Sequence, residues 1–290
     1  MVSPSLPAYL PTVSLRLAVL QAEAIPGDLD GNIRRAARMT SEAARQGARI
    51  AVLPELYCCG YDLPTLIATP ASEIPLDETG HVTDPRLTPL IDEATRTGTL
   101  ALTGAAVRRP DGALVNALLR VDPSGAVTVA YTKQHLWQAE EAKIFSPGTG
   151  GEDLVDIDGW RLGLAICYDM SFAAHAGAAA LSGAHVYVCA SAFVVGAECR
   201  AAIYMPARAL ENTIYSVFAN ATGGSRNRPS AGASAVYTPF GIPLAAAPTT
   251  TEHLLITDLI PSSLTESRSF LHMLGERAQD EGRLPRGAFP

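Results

Sequence analysis

Nearly continuous apolar runs, rich in β-branched residues, recur along the chain at residues 15–20, 50–53, 100–107, 114–121, 127–131, 162–166, 185–189, 214–219 and 254–259. Several show no polar alternation, which predicts strands buried on both faces rather than half-exposed ones. Helical patterns lie between them. They cover residues 30–46, 85–96 and 171–182, and are followed by Gly47, Gly98 and Gly183, the residue type that stops a helix. Pro110-Asp111-Gly112 and the stretch 122–125 separate neighbouring runs and read as hairpin turns. Helical crossovers and hairpins mixed in one chain predict a sheet-rich α/β domain with helices outside. Without repeats or a composition shift to mark a linker, the expected division is an N-terminal arm (1–14), one domain (15–262) and a C-terminal tail (263–290).

Composition narrows the picture. The 290 residues are 48% hydrophobic and 18% charged, enough apolar material for a core and too little charge for a disordered chain. Twenty-two Lys+Arg against 29 Asp+Glu leave a net charge of −7, which argues against nucleic acid or an anionic membrane as partner. No apolar stretch approaches the ~18 residues of a spanning helix. The first fourteen residues lack the basic start of a signal peptide and carry Pro4, Pro7 and Pro11. Five cysteines, an odd number with no CxxC pair, fit neither a disulfide framework nor a zinc site. Reduced thiols and a cytoplasmic setting are therefore expected, with no cofactor or metal.

Three ionisable residues share one placement. Glu55 ends IAVLPE, Lys133 ends VTVAYTK and Cys167 ends RLGLAIC, each at the carboxyl end of an apolar run. That edge of an α/β sheet is where ligands bind. Taken singly, each has an ordinary reading. A cysteine in an apolar run is usually a small buried hydrophobe, the role assigned here to Cys189, and Cys58 and Cys59 read as packing or loop residues. Glu or Lys at a strand end is usually solvated. Together the three suffice for acyl transfer: a thiol to attack, a carboxylate to take its proton, and an ammonium to stabilise the thiolate and an oxyanion. The backbone N–H of Tyr168 is a candidate second oxyanion donor. Spacing alone leaves both readings open.

The segments around these residues resemble a family. LPELYCCGYD (53–62), YTKQHLW (131–137) and LGLAICYD (162–169) are similar to the glutamate, lysine and cysteine segments of the nitrilase, or carbon–nitrogen hydrolase, superfamily, and occur in its order. ARALENTIYSVFANATG (207–223) and RLAVLQAEAIPGDLDGN (16–32) extend the likeness to about residues 15–260. The resemblance implies a four-layer α-β-β-α sandwich assembled as a homodimer or larger homo-oligomer. It implies Cys167 as nucleophile, Glu55 as general base and Lys133 as stabiliser of the tetrahedral intermediate. In EAKIFSPG it puts Glu141 in the place of a second glutamate that orients the lysine, with Phe145 and Gly148 in register and Glu140 off by one.

The implied activity is hydrolysis of a small-molecule amide or N-carbamoyl compound through a cysteine thioester, the CYD segment being closer to amidases and carbamoylases than to true nitrilases. Tyr61, Trp137 and Phe193 are candidate pocket aromatics, and Arg200 and Arg226 candidate binders of a substrate carboxylate. The chain departs from the family pattern at 172–175, where Phe-Ala-Ala-His lacks the usual proline and glutamate, and at 203–206. His175 is read as a substitute for a surface or interface residue. The alternatives are nitrile hydrolysis or acyl transfer on the same site, a Cys/His enzyme pairing Cys167 with His175, His185 or His253, and a non-catalytic interaction protein that keeps the fold. The Arg-, Gly- and Pro-containing tail 263–290 is too poor in apolar residues for a core of its own and is read as wrapping a partner subunit.

Overall fold

The computed structural model describes residues 10–149, 154–225 and 228–283. The N-terminal half runs β1 (Leu15–Gln21), α1 (Leu29–Arg45), β2 (Ile50–Val52), α2 (Leu63–Ala68), β3 (Ile74–Pro75), α3 (Thr88–Thr97), β4 (Leu100–Arg108), β5 (Leu114–Val121) and β6 (Val127–Thr132). Then come α4 (Gln138–Ala142), β7 (Val155–Ile157), β8 (Trp160–Ile166), α5 (Ala173–Leu181), β9 (Val186–Ser191), α6 (Glu198–Asn212) and β10 (Tyr215–Asn220). The chain continues through β11 (Thr222–Ser225), β12 (Arg228–Ala231), β13 (Ala235–Tyr237), β14 (Pro243–Ala246) and β15 (His253–Leu259) to α7 (Pro261–Phe270) and α8 (Met273–Asp280).

Each apolar run of the sequence overlaps a strand, because the two sheets stack on their inner faces and helices cover much of their outer faces. Among the described residues, one sheet has the order β15-β1-β2-β4-β5-β6 with β3 beside β4, and the other the order β14-β13-β10-β9-β8-β7. The centre of each is parallel, β1-β2-β4 and β8-β9-β10, as crossovers through helices require. Alternate residues of β1 show how the layers form. Ala18 and Leu20 pack outward with Ile33 and Ala36 of α1 and Leu90 of α3, whereas Leu17 and Val19 pack inward with Leu164, Val188 and Val217 of the other sheet. On the far side Tyr187, Cys189 and Phe218 meet Ala176 and Ala180 of α5 and Met205 and Ala209 of α6. The order is thus helix, sheet, sheet, helix, the expected α-β-β-α sandwich. A fully buried side chain of this size stabilises the fold by about 1.5–3 kcal/mol.

Two segments depart from the sequence pattern. Helix α6 contains Pro206, a residue that usually ends a helix interior, yet it runs on because Ala201, Met205 and Ala209 line its buried face. Residues 263–283 do not stand apart as a tail: the boundary at 262 falls inside α7, and Leu264, Leu274 and Ala278 pack into this chain's own clusters. Residues 1–9 of the arm and 284–290 of the tail lie outside the described residues. Among the described residues, no helix is long and apolar enough to cross a membrane.

Candidate active site

The loops that leave the carboxyl ends of β2, β6 and β8 converge at one edge of the sandwich. After β2 the chain turns at Leu56, whose φ is +50°. This turn presses Glu55 against Gly104 of β4, where a Cβ atom would stand 2.2 Å from Leu56 N and 2.7 Å from Glu55 C. Only a residue without a side chain permits that approach. Lys133 follows β6 and stays tied to β5, its N–H donating to Asn116 O at 2.8 Å. Cys167 opens a short 3₁₀ turn (Cys167–Ser171) directly after β8 with φ +49°. A left-handed non-glycine residue is uncommon and costs on the order of 1–3 kcal/mol. The turn is held by Asp169, a buried carboxylate that accepts from Ile166 N (3.1 Å), Tyr131 OH (2.7 Å) and both His135 N (2.9 Å) and Nδ1 (2.8 Å).

Glu55, Lys133 and Glu141 form a buried cluster. Lys133 Nζ donates to Glu55 Oε1 at 2.7 Å and to Glu141 Oε1 at 2.8 Å, and none of the three side chains is exposed. Glu141 also accepts from Trp137 N at 2.6 Å and from the Tyr61 hydroxyl. Glu140 is exposed and takes no part, so of the two adjacent glutamates the structure brings Glu141 to the lysine. Asn116 Nδ2 donates to Glu55 Oε1 at 2.8 Å, while Glu55 Oε2 is buried with no hydrogen-bond partner among the described residues.

Electrostatics follow from this burial. Desolvation raises the Glu55 pKa above its ordinary 4.5; the Lys133 charge opposes the rise and the Glu141 charge adds to it. Burial would lower Lys133, but the charges of its carboxylate neighbours, Glu55 first and then Glu141, outweigh it and hold the ammonium form. The Cys167 thiol is raised well above 9.0, first by burial and then by the Glu55 charge, against Lys133 and a backbone hydrogen bond from Ala192. At rest the thiol is therefore protonated beside a buried carboxylate of raised basicity and a fixed ammonium.

Cys167 lies on the wall of a pocket of about 60 Å³ that is also lined by Tyr61, Trp137, Tyr168 and Phe193, the three aromatics expected from sequence among them. Trp137 and Tyr168 meet edge to face at 4.9 Å. Arg200 lines the same pocket, stacked over Trp137 at 5.2 Å, and Arg226 lies outside the described residues. Arg228, which sequence reasoning passed over, lines it as well, 4.9 Å over the Tyr61 ring. Asn116 was equally missed. A polar residue inside a largely apolar strand run was the available signal.

None of the three candidate histidines lines this pocket. His175, expected at a surface or interface, is half-buried and bridges two tyrosines, Tyr131 OH at Nε2 (2.8 Å) and Tyr187 OH at Nδ1 (2.9 Å). Since Tyr131 donates to Asp169, His175 donates from Nε2 and accepts at Nδ1. Burial lowers its pKa, which favours that neutral form. His185 Nδ1 accepts from Arg161 N at 3.1 Å, and His253 stands on β15 opposite Gln21. Among the described residues, no histidine is paired with Cys167. Cys58, Cys59 and Cys189 are buried and packed as expected. Among the described residues, no group of three His, Cys, Asp or Glu side chains is placed to hold a metal ion.

Residues 16–269 match the carbon-nitrogen hydrolase family, and the chain belongs to it. A nitrilase from Pyrococcus abyssi is 34% identical over 232 residues, 79% of this chain and 84% of the relative. An omega-amidase from Mus musculus is 30% identical over 280 residues, 93% and 96% of the two chains. Among solved structures, the amidase from Nesterenkonia sp. AN1, in a variant complexed with butyramide, is similar with a TM-score of 0.75 and 28% identity over 91% of this chain and 98% of that one. Fold and family together make the protein an amidase-like hydrolase of carbon–nitrogen bonds.

Proposed function

We propose that the protein hydrolyses a small amide or N-carbamoyl compound through a thioester on Cys167. The Nesterenkonia amidase, with butyramide in one structure and an acetamide moiety on its active-site cysteine in another, supports this chemistry by likeness. The observation that carries the assignment is the division of labour on Glu55. Its Oε1 is anchored by Lys133 and Asn116, and its buried Oε2 is left to exchange a proton.

In this reading Glu55 accepts the Cys167 proton as the sulfur attacks the carbonyl carbon. The oxyanion is stabilised by the Lys133 ammonium and the Tyr168 N–H. The C–N bond breaks as Glu55 returns the proton to the departing nitrogen, leaving an acyl thioester. Water then attacks that carbon, Glu55 takes its proton and gives it back to the leaving sulfur, and the acid departs. Glu141 keeps the ammonium oriented. Tyr61, Trp137 and Phe193 bound the acyl group.

The protein acts in this proposal as a reduced, cytoplasmic homo-oligomer. Free cysteines fit the first part, and exposed Ile203 and Leu210 on α6 with Ile242 beside β14 fit the second. Sedimentation showing only a monomer would refute the assembly.

The deciding experiment is ammonia release from a panel of primary amides, N-carbamoyl amino acids, N-carbamoyl amines and nitriles. Wild type is expected to act on at least one amide or N-carbamoyl compound, with Cys167→Ala and Glu55→Gln silent. Activity that survives both substitutions, or turnover of nitriles alone, overturns the proposal.

A further inference from the structure

We infer that His175 is a positioning residue for Cys167, acting through Tyr131 and Asp169. The inference rests on the reading of Cys167 as the reacting group and gives a role to a residue that does not line its pocket.

At the nucleophile's end, the 3₁₀ turn depends on Asp169. Its Oδ2 accepts from Ile166 N, one residue before Cys167, at 3.1 Å and from Tyr131 OH at 2.7 Å. The far end of the turn is held separately, by Arg208 donating to Met170 O at 2.9 Å and Ser171 O at 3.2 Å. Cys167 itself stands at φ +49°, a conformation that persists only where the surroundings over-determine it.

His175, on the first turn of α5, backs Tyr131. Its Nε2–H donates to the Tyr131 oxygen at 2.8 Å, and its Nδ1 accepts from the Tyr187 hydroxyl at 2.9 Å. Tyr187 O–H, His175 Nε2–H and Tyr131 O–H therefore all point the same way, a line of donors that ends on the Asp169 carboxylate. Donors in series polarise one another and strengthen the last bond. The line also sets the tautomer. With Tyr187 donating to Nδ1, the ring proton sits on Nε2 and leaves Tyr131 nothing there to donate to. A bare Nε2 would let the Tyr131 proton turn to the imidazole and leave Asp169. Packing does not replace these bonds, because Tyr131, His135, Phe172 and His175 border a cleft of about 280 Å³ rather than a filled wall.

The test compares full-length wild type with His175→Phe, which keeps a ring and removes both nitrogens, His175→Gln, which returns a donor near the Nε2 position, and Tyr131→Phe. Two rates are read below each variant's melting temperature. One is turnover, as kcat and KM, on the best substrate of the ammonia panel. The other is alkylation of Cys167 by iodoacetamide at neutral pH, followed by peptide mass spectrometry. His175→Phe is expected to lower kcat and the alkylation rate about 3- to 10-fold at nearly constant KM, as loss of one neutral hydrogen bond implies. His175→Gln should recover part of both. In the Tyr131→Phe background, His175→Phe should slow neither rate further, since the hydroxyl it acts through is gone. A purely structural histidine would lower the melting temperature and leave both rates as they were, which overturns the inference. Unchanged or faster alkylation in His175→Phe overturns it too, as does an undiminished effect in the Tyr131→Phe background. If His175→Phe does not fold, Tyr131→Phe decides: kcat and alkylation at wild-type rates strike the line of donors. Wild type that releases no ammonia strikes the proposed reaction instead, while the alkylation rates still test His175.

Discussion

Gly104 of β4 lies so close to Glu55 that any Cβ on it would stand 2.7 Å from the Glu55 carbonyl carbon and 2.5 Å from Pro54 O. These neighbours are backbone and cannot swing aside as a flexible side chain would. Gly104→Ala should therefore push the β2–Glu55 turn away from β4. Overpacking of this kind costs about 1–3 kcal/mol, and the displaced carboxylate should cost activity beyond what lost folding explains. Chemical denaturation beside kcat on soluble protein checks this. A variant with unchanged stability and kcat would show that the turn relaxes freely.

Asn116 reaches Glu55 Oε1 from the neighbouring strand at 2.8 Å. Hydrogen bonds to charged groups are worth about 1.5–3 kcal/mol, so Asn116→Ala should lower kcat by about 10- to 100-fold with little change in KM. A change confined to KM would assign Asn116 to substrate contact instead.

The acid limb of kcat/KM should report the Glu55 carboxyl. Burial raises its pKa above 4.5, so on lowering the pH the base becomes protonated, and activity is lost, earlier than an ordinary glutamate allows. Glu141→Gln removes a negative charge that contributes to the rise and should move the limb to lower pH. A limb at or below 4.5 in the wild type would contradict the buried-base geometry.

Alkaline stability should expose the packed thiols. Burial pushes Cys58 and Cys59 from 9.0 up to about 12. The unfolded chain ionises first, so above pH 9 it binds fewer protons than the native one and stability falls as pH rises, until the native thiols ionise near 12. Each thiol contributes a slope of about 1.36 kcal/mol per pH unit in that window. Cys59→Ala should make the slope shallower by that amount in melts between pH 9 and 10.5, and an unaltered slope would assign the alkaline loss to other groups.

The two-faced burial of the strands was legible because short, β-branched-rich apolar runs without alternation fit a sheet covered on both sides. Ala18 and Leu17 point opposite ways, and both are buried. Helix α6 was harder, since Pro206 contradicts a helix locally and only tertiary burial of Met205 and Ala209 overrides it. The C-terminal segment misled for a similar reason. Sparse apolar residues such as Leu264 and Leu274 look insufficient alone but suffice when an existing core receives them.

Residue type and order along the chain determined which groups are candidates for chemistry: Glu55, Lys133 and Cys167 each end an apolar run, and a strand end is where a side chain leaves the core. Only the tertiary structure decided their company. Asn116 on Glu55, Tyr131 and His135 on Asp169, His175 between two tyrosines, and Arg228 on the same pocket wall as Arg200 all bring together residues distant in sequence. Hydrophobic periodicity specifies which face of an element is buried. It says nothing about which polar groups meet at the edge, because that depends on how the two sheets and their loops come together in space.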